Sequence, residues 1–360
     1  MTVPRLKIAV VAPPWFAVPP TGYGGIESVC AGLVDGLVDR GHDVTLIGAG
    51  EDGTDATRFF AATEEPQSDR VGDVLTEVRH AAAASQVLGD LDIDVIHDHT
   101  AAGPLVAAGL EIPTVVTAHG PMDGEIGHYY GNLTRYYGHL GERITFVSIS
   151  NSQRAGAADL PWAATVYNGV RVSDHDFRRD KDDFVLFIGR CCPEKAPELA
   201  IHAARDSGRQ LVALTKCREP DEMQHFEQVV KPLLGRDVEW LDEPPKDRKH
   251  DLLARARALV MPIQWDEPFG MVMIEALASG TPVVALRRGA VPEIVEDGVN
   301  GFICDEPDEL SSAIERTSEI DPDTCRQVVE NRFSLETMAR GYEEVYLRAV
   351  ERSPARAGQR

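Results

Sequence analysis

A chain of 360 residues is two to three times the usual domain length and most simply makes two domains, each able to bury its own core. Hydrophobic residues at 43% and charged residues at 26% exclude wholesale disorder, and no apolar run approaches the roughly 20 residues of a membrane-spanning helix. The net charge is −22, and the 9 basic and 21 acidic residues before Val170 leave that half at −12 and the remainder at −10, which argues against nucleic acid, or an anionic membrane surface, as a partner of either half.

The opening MTVPRLKIAVVAPPW lacks a long apolar core and a small-residue cleavage site, so a cytoplasmic location is expected. Short β-branched runs then alternate with helix-period segments, the pattern of parallel sheets covered on both faces. Strands are predicted at Lys7–Ala12, Asp43–Gly48, Val95–His97, Thr114–Ala118, Arg143–Ser148 and Thr165–Tyr167, with helices over Glu27–Arg40 and Gln86–Leu91. Gly169–Asp183, rich in Arg and Asp, reads as a linker. The series restarts with strands Phe184–Ile188, Gln210–Leu214, Val238–Trp240, Ala258–Met261 and Pro282–Ala285. Helices are predicted over Pro197–Asp206, His225–Leu234, Lys249–Ala256 and Met271–Ser279, and a last one, Leu335–Val350, has no strand after it and is expected to cross back to the first lobe. The fold class is therefore α/β, with two doubly wound Rossmann-like domains: 1–170 together with 335–360, and 171–334. Open parallel sheets bind ligands beyond the carboxyl ends of their strands, so chemistry is expected in a cleft between the lobes.

Polar residues just after strands become the candidates. Gly189-Arg190-Cys-Cys-Pro-Glu-Lys195 follows the strand Phe184–Ile188. Arg offers a bidentate fork and Lys a compact charge, together matched to two linked phosphates without a metal, although loop cations are more often only solvated. In Glu267-Pro-Phe269-Gly270-Met271-Val272-Met-Ile-Glu275, Pro268 and Gly270 open a helix whose first amides are free to take an anion, with one carboxylate before the helix and one in its first two turns. His119 ends a strand, is followed by glycine, and is expected to face the cleft. His97 and His99, two apart at a strand end, are expected to point to opposite faces, so that at most one reaches the cleft; His99 is taken as that one. A metal at His97-Asp98-His99 or Asp174-His-Asp176 needs a further ligand that the sequence does not supply. His42, His128, His139, His202, His225 and His250 sit in ordinary helical, loop or strand-entry patterns. The loops Pro13–Tyr23, with Trp15, Phe16 and Tyr23, and Met122–Tyr137, with Tyr129 and Tyr130, carry aromatics that either stack on an acceptor or pack within their loops. Trp15, Tyr23 and His99 are kept as acceptor-site candidates. Lys216, in the turn after Gln210–Leu214, either reaches a nucleotide or is solvated. Six cysteines without C-x-x-C pairs read as reduced thiols, with a vicinal Cys191-Cys192 disulfide as the minority alternative.

These residues resemble those of the retaining GT-B glycosyltransferases of glycosyltransferase family 4, whose second domain carries a Gly-Arg…Lys clamp and a Glu-x7-Glu motif. Further matches run across almost the whole chain: Gly22-Tyr-Gly-Gly25-Ile-Glu, Val-Ile-His97-Asp98-His99, Thr-Ala-His119-Gly120 and Tyr-Asn168-Gly169-Val170. The resemblance implies a soluble, metal-independent, retaining hexosyltransferase that uses a nucleotide diphosphate sugar as co-substrate, with no cofactor. It assigns the donor diphosphate to Arg190 and Lys195, the ribose hydroxyls to Glu275, and the donor sugar to Glu267 and His119. Backbone amides from Phe269 to Val272 would complete that site, and Gly24-Gly25 would let main chain approach the phosphates or acceptor, although a plain helix-entry turn uses glycine equally. Two departures stand out: Ala196-Pro197 where the family has a small glycine after the lysine, and Thr-Lys216-Cys-Arg218-Glu-Pro in place of a glycine-rich turn. A sugar-nucleotide epimerase of the same fold and a non-catalytic sugar-nucleotide-binding protein are the rivals; a nicotinamide enzyme is disfavoured because the G-x-G-x-x-G fingerprint is missing. The acidic first lobe favours a water-soluble acceptor, in particular one carrying amines, without stable membrane insertion; the oligomeric state is left open.

Overall fold

The computed structural model describes residues 4–107, 109–136 and 143–352, so that Tyr137, His139 and the tail expected to fray lie outside the described residues. The chain divides into two compact units, Met1–Gly169 with Leu335–Arg360, and Val170–Ser334.

The first unit is built on seven parallel strands: β1 Lys7–Val11, β2 Asp43–Ala49, β3 Arg58–Thr63, β4 Val95–Asp98, β5 Thr114–Thr117, β6 Ile144–Ser148 and β7 Trp162–Thr165, in the order β3-β2-β1-β4-β5-β6-β7. Ile8–Val11 are almost wholly buried, as a central strand covered on both faces requires. The order reverses beside β1, where Val11 pairs with Asp98, and such a switch point opens a crevice at the strands' carboxyl ends. The loop 12–24 and His99 leave the sheet there.

The helix Leu335–Arg352 belongs to this unit and packs on the helix Gly25–Asp39 and on β4 and β5. Its buried residues Leu335, Met338, Ala339, Tyr342, Val345, Tyr346 and Ala349 recur at helical spacing and form one apolar stripe. The glycines of the facing helix permit the approach: a Cβ on Gly32 would come within 2.7 Å of Leu335, and one on Gly36 within 3.1 Å of Ala339. At the other end, buried Glu343 accepts from Arg40 Nη2 at 2.5 Å and meets His42 Nε2 at 2.8 Å. Burial pushes this carboxyl up, but the hydrogen bonds from Arg40 and His42 outweigh it and leave its pKa lowered.

The second unit repeats the plan with six parallel strands: β8 Phe184–Arg190, β9 Gln210–Lys216, β10 Val238–Asp242, β11 Ala258–Met261, β12 Val283–Leu286 and β13 Gly301–Cys304, in the order β10-β9-β8-β11-β12-β13. Its switch point lies between β8 and β11, whose exits lead into the Arg190–Lys195 and Glu267–Gly270 segments.

The structure adds elements the sequence pattern did not announce. β3 is an edge strand paired only with β2 and half exposed along its length, so it lacks the continuous apolar run of a buried strand. β13 begins at Gly301, where a Cβ would fall 2.0 Å from the Val283 carbonyl oxygen. The last strand of the first half is Trp162–Thr165 rather than Thr165–Tyr167, directly after Pro161. The segment predicted as one helix over His225–Leu234 is instead a helix Pro220–His225 followed by a π-helical turn, Phe226–Val230, and a 3-10 turn, Lys231–Leu233. Most of the expected loop Met122–Tyr137 is the helix Glu125–Tyr136.

Candidate functional site

In the unit Val170–Ser334, β8 ends at Arg190, in register with Lys216 at the end of β9. Each cation faces an acid of the helix Pro220–His225 or its cap: Arg190 Nη1 lies 3.3 Å from Glu222 Oε1, and Lys216 Nζ 2.7 Å from Glu219 Oε1. Glu222 is buried, and that burial together with the hydrogen bond its carboxyl donates to the Glu219 carboxylate raises its pKa, while the amides of Arg218 and Glu219 donate to its Oε2. After Cys191 and Cys192, both free thiols, the chain turns back with the amides of Lys195 and Ala196 donating to the Cys192 carbonyl. Ala196 is left-handed at φ 49°, a conformation that costs an alanine roughly 1–2 kcal/mol and that glycine would adopt without that cost.

That turn carries the Lys195 ammonium onto the carboxylate of Glu267 and over the Trp265 ring, 5.1 Å from its centre. Glu267 is buried, and the amide of Ala290 donates to its carbonyl. Gly289 packs so closely on it that a Cβ would lie 2.3 Å from the Glu267 nitrogen and oxygen. Gly270 sits at φ 87° as the cap of the helix Met271–Ala278, where a Cβ would meet Met273 Cε at 2.7 Å. Phe269 is buried edge-on against Phe333, so its side chain anchors the turn, and the amides of Gly270, Met271 and Val272 are the groups such a helix start offers an anion. Within the same helix, Glu275 holds Lys249 Nζ at 2.7 Å. Burial alone would raise its pKa, but Lys249 and His175 outweigh that and leave it lowered. His175, buried beside the His250 ring, is pushed down to about 4 by its burial.

The sequence-predicted residues thus assemble here as ion pairs. Lys195 meets Glu267 across 72 positions of sequence, while Arg190 meets a different acid, Glu222. Sequence reasoning missed Glu219, Glu222, Trp265, Lys249 and Gly289. Trp265 could have been found from its place two residues before Glu267; Lys249 and Glu222 carry only an ordinary surface-helix pattern.

In the unit Met1–Gly169 with Leu335–Arg360, the three histidines form one stack. His99 Nδ1 lies 2.8 Å from His119 Nε2, with the rings near parallel, and the His97 ring lies 4.0 Å from that of His99. His97 and His99 therefore do not point apart: side chains alternate with a period of two, so residues two apart share a face, contrary to the expectation above. His97 is fixed by Tyr346 Oη on Nδ1 and Thr117 Oγ1 on Nε2, each at 2.7 Å, and Thr117 in turn meets Tyr342 Oη at 3.0 Å. Burial lowers all three histidine pKa values, that of His119 to about 4.

Gly24 takes φ 147° with Pro20 packed against it, whereas Gly25 has open space where a Cβ would stand. Glu27 is buried behind this turn and pushed up to about 7 by its burial. Tyr23 is 44% exposed, edge-on to Phe16. Trp15 does not offer the expected stacking surface: its indole is buried, only 8% exposed. Tyr129 donates its hydroxyl to the Ala101 carbonyl and Tyr130 packs on Phe146, so both serve packing. Among the described residues no cluster of three or more His, Cys, Asp or Glu could hold a metal ion, and no helix is long and apolar enough to cross a membrane.

Residues 173–334 match the family described as glycosyl transferases group 1, and residues 23–174 match Glycosyltransferase Family 4. An uncharacterized glycosyltransferase of Methanocaldococcus jannaschii is 25% identical over 390 residues, covering 96% of this chain and 99% of its own. The glycogen synthase of Mycobacterium tuberculosis is 26% identical over 391 residues, covering 93% and 94%. Among solved structures, a glycosyltransferase involved in avilamycin A biosynthesis superposes with a TM-score of 0.75 at 27% identity, covering 96% of this chain and 98% of that one. Anabaena HepE, in complex with UDP and glucose, has the same fold at a TM-score of 0.72 and 19% identity, covering 96% and 100%.

Proposed function

Because this chain belongs to the family 4 and group 1 glycosyltransferases and is a transferase of the GT-B fold, we propose that it moves a hexosyl group from a nucleotide diphosphate sugar to a hydroxyl of a soluble acceptor, with retention at the anomeric carbon. The observation that carries the donor assignment is the pairing of Lys195 with Glu267 at the ends of β8 and β11, beside the helix that opens at Gly270.

Transfer breaks the bond between the anomeric carbon and the diphosphate oxygen, building positive charge on the sugar and negative charge on the leaving phosphate. Arg190, Lys195 and the free amides after Gly270 are fixed positive groups that stabilise that phosphate. Lys195 rests on Glu267; a phosphate on Lys195 competes with that carboxylate and frees it to accept hydrogen bonds from hydroxyls of the donor sugar. Glu275, kept ionised by Lys249, accepts from the two ribose hydroxyls. His119 meets the sugar. Two cations match the diphosphate charge, so no metal ion is required in this reading. The nucleotide sugar carried by HepE is the donor class meant.

The acceptor is proposed to be water-soluble and favoured by positive charge, since the residues before Val170 carry −12. Turnover on amine-bearing acceptors should exceed that on neutral ones and lose the advantage as salt rises. A thermal-shift screen of nucleoside diphosphates and their sugars tests the donor, because a ligand at 100 times its Kd adds about 2.7 kcal/mol. No shift with any of them at millimolar concentration would overturn the reading, and a product of inverted anomeric configuration would overturn retention.

A further inference from the structure

His99 is buried, with Nδ1 on His119 Nε2 and Nε2 enclosed without a hydrogen-bond partner. One proton lies between the two facing nitrogens, and the ring that owns it decides what His119 shows on its other side. Burial disfavours the charged form of both rings, so each carries a single N–H. If His119 owned the shared proton, His99 would have to keep its own on Nε2, an enclosed donor with nothing to accept it. Buried N–H groups without acceptors are avoided more strictly than unfilled acceptors. If His99 owns the proton, its enclosed nitrogen is a bare lone pair, and His119 carries its hydrogen on Nδ1. That atom has no hydrogen-bond partner among the described residues, and His119 is partly exposed where His99 is not.

We propose that His99 is a positioning residue that locks His119 in the Nδ1–H form, so that His119 meets its ligand as a hydrogen-bond donor. Its partner must then present a lone pair, such as a sugar hydroxyl oxygen. The lock also excludes His119 as a base: its one basic nitrogen is spent on His99, so it cannot take the acceptor hydroxyl's proton. His97 cannot compete for His99, because both its nitrogens are filled by Tyr346 and Thr117, and its ring backs that of His99. The role in sugar transfer rests on the function proposed above; the tautomer does not.

Long-range proton–nitrogen correlation spectra of the wild-type protein at neutral pH, with His119 identified by its loss in His119→Gln, read the tautomer directly. The expected result is a protonated Nδ1 and a bare Nε2. A protonated Nε2, or a doubly protonated ring, overturns the proposal. His99→Leu should release His119 into a mixture of forms and lower kcat about tenfold, the scale of one hydrogen bond, with KM for the donor little changed. His99→Asn, which keeps a side-chain N–H donor, should restore most of both. An unchanged His119 tautomer in His99→Leu overturns the positioning role. Absence of transfer by the wild-type protein would instead sink the glycosyltransferase reading while the spectra still decide the lock, so the two failures are separable.

Discussion

The candidate groups of Val170–Ser334 are ions held by ions: Lys195 on Glu267, Arg190 on Glu222, Lys216 on Glu219, Lys249 on Glu275. Those of the other unit are neutral rings and hydroxyls, with His97, Thr117, Tyr342 and Tyr346 closed into one buried network and His99 paired to His119. The contrast follows from what each arrangement can do. Each of these pairs keeps at least one partly exposed partner, so a ligand phosphate can reach the cation and exchange for its carboxylate. A buried neutral network strands a polar group when any member moves, so it holds one orientation. The first suits a charged ligand that must be bound and released, the second a neutral one that must be oriented.

The largest expected effect breaks the ionic side. Lys195→Ala and Arg190→Ala should each lower turnover at saturating donor by on the order of 10²–10³, the scale for losing one group that stabilises transition-state charge. Near-normal turnover in both would remove the assignment. The neutral side is tested by Tyr346→Phe, which leaves His97 Nδ1 buried without its partner and should cost about 1–3 kcal/mol in urea unfolding. A cost inside experimental error would show that the network is not holding the ring.

The glycine turn gives a smaller, paired test. Gly24→Ala forces a side chain into a positive-φ position 2.8 Å from Pro20 and should destabilise by about 1–2 kcal/mol. Gly25→Ala, in open space, should stay within about 0.5 kcal/mol of wild type. If it nonetheless loses turnover, close approach of a ligand is the reason left.

His175 is a neutral ring set among ions, and its titration sharpens the comparison. Its pKa is about 4 in the folded protein against about 6.5 in the unfolded chain, so the unfolded state binds the proton more readily. The stability it contributes is complete above about 6.5 and is lost as pH falls toward 4. Glu27 and Asp98, both raised to about 7 by burial, tilt the other way, losing stability as pH rises toward 7. The quantity to measure is therefore the difference between wild type and His175→Phe, which should be flat above pH 6.5 and shrink below it. A difference independent of pH would mean the ring is not held neutral. Last, a chelator should leave turnover unchanged; loss of activity restored by magnesium or manganese would contradict a diphosphate held by side chains alone.

Local features were legible in the sequence. A buried parallel strand needs a short β-branched run, so β1, β8 and β11 stand close to where the pattern put them, and left-handed backbone favours glycine, as at Gly270, although Ala196 takes it without one. The half-exposed edge strand β3 carries no such run and was missed. His119, Glu267 and Lys195 could be chosen because residues just after strands face the ligand end of an open sheet. Their partners could not. Glu267 reaches Lys195 across 72 positions, Tyr346 reaches His97 across 249, and Glu343 reaches His42 across 301, separations at which periodicity carries no information. Strand order brings those residues together, and strand order is set by how the whole chain buries its apolar faces. Charge state follows the same division: the sequence names the ionisable groups, while burial and neighbours, which exist only in the folded chain, make His119 neutral and keep Glu275 ionised.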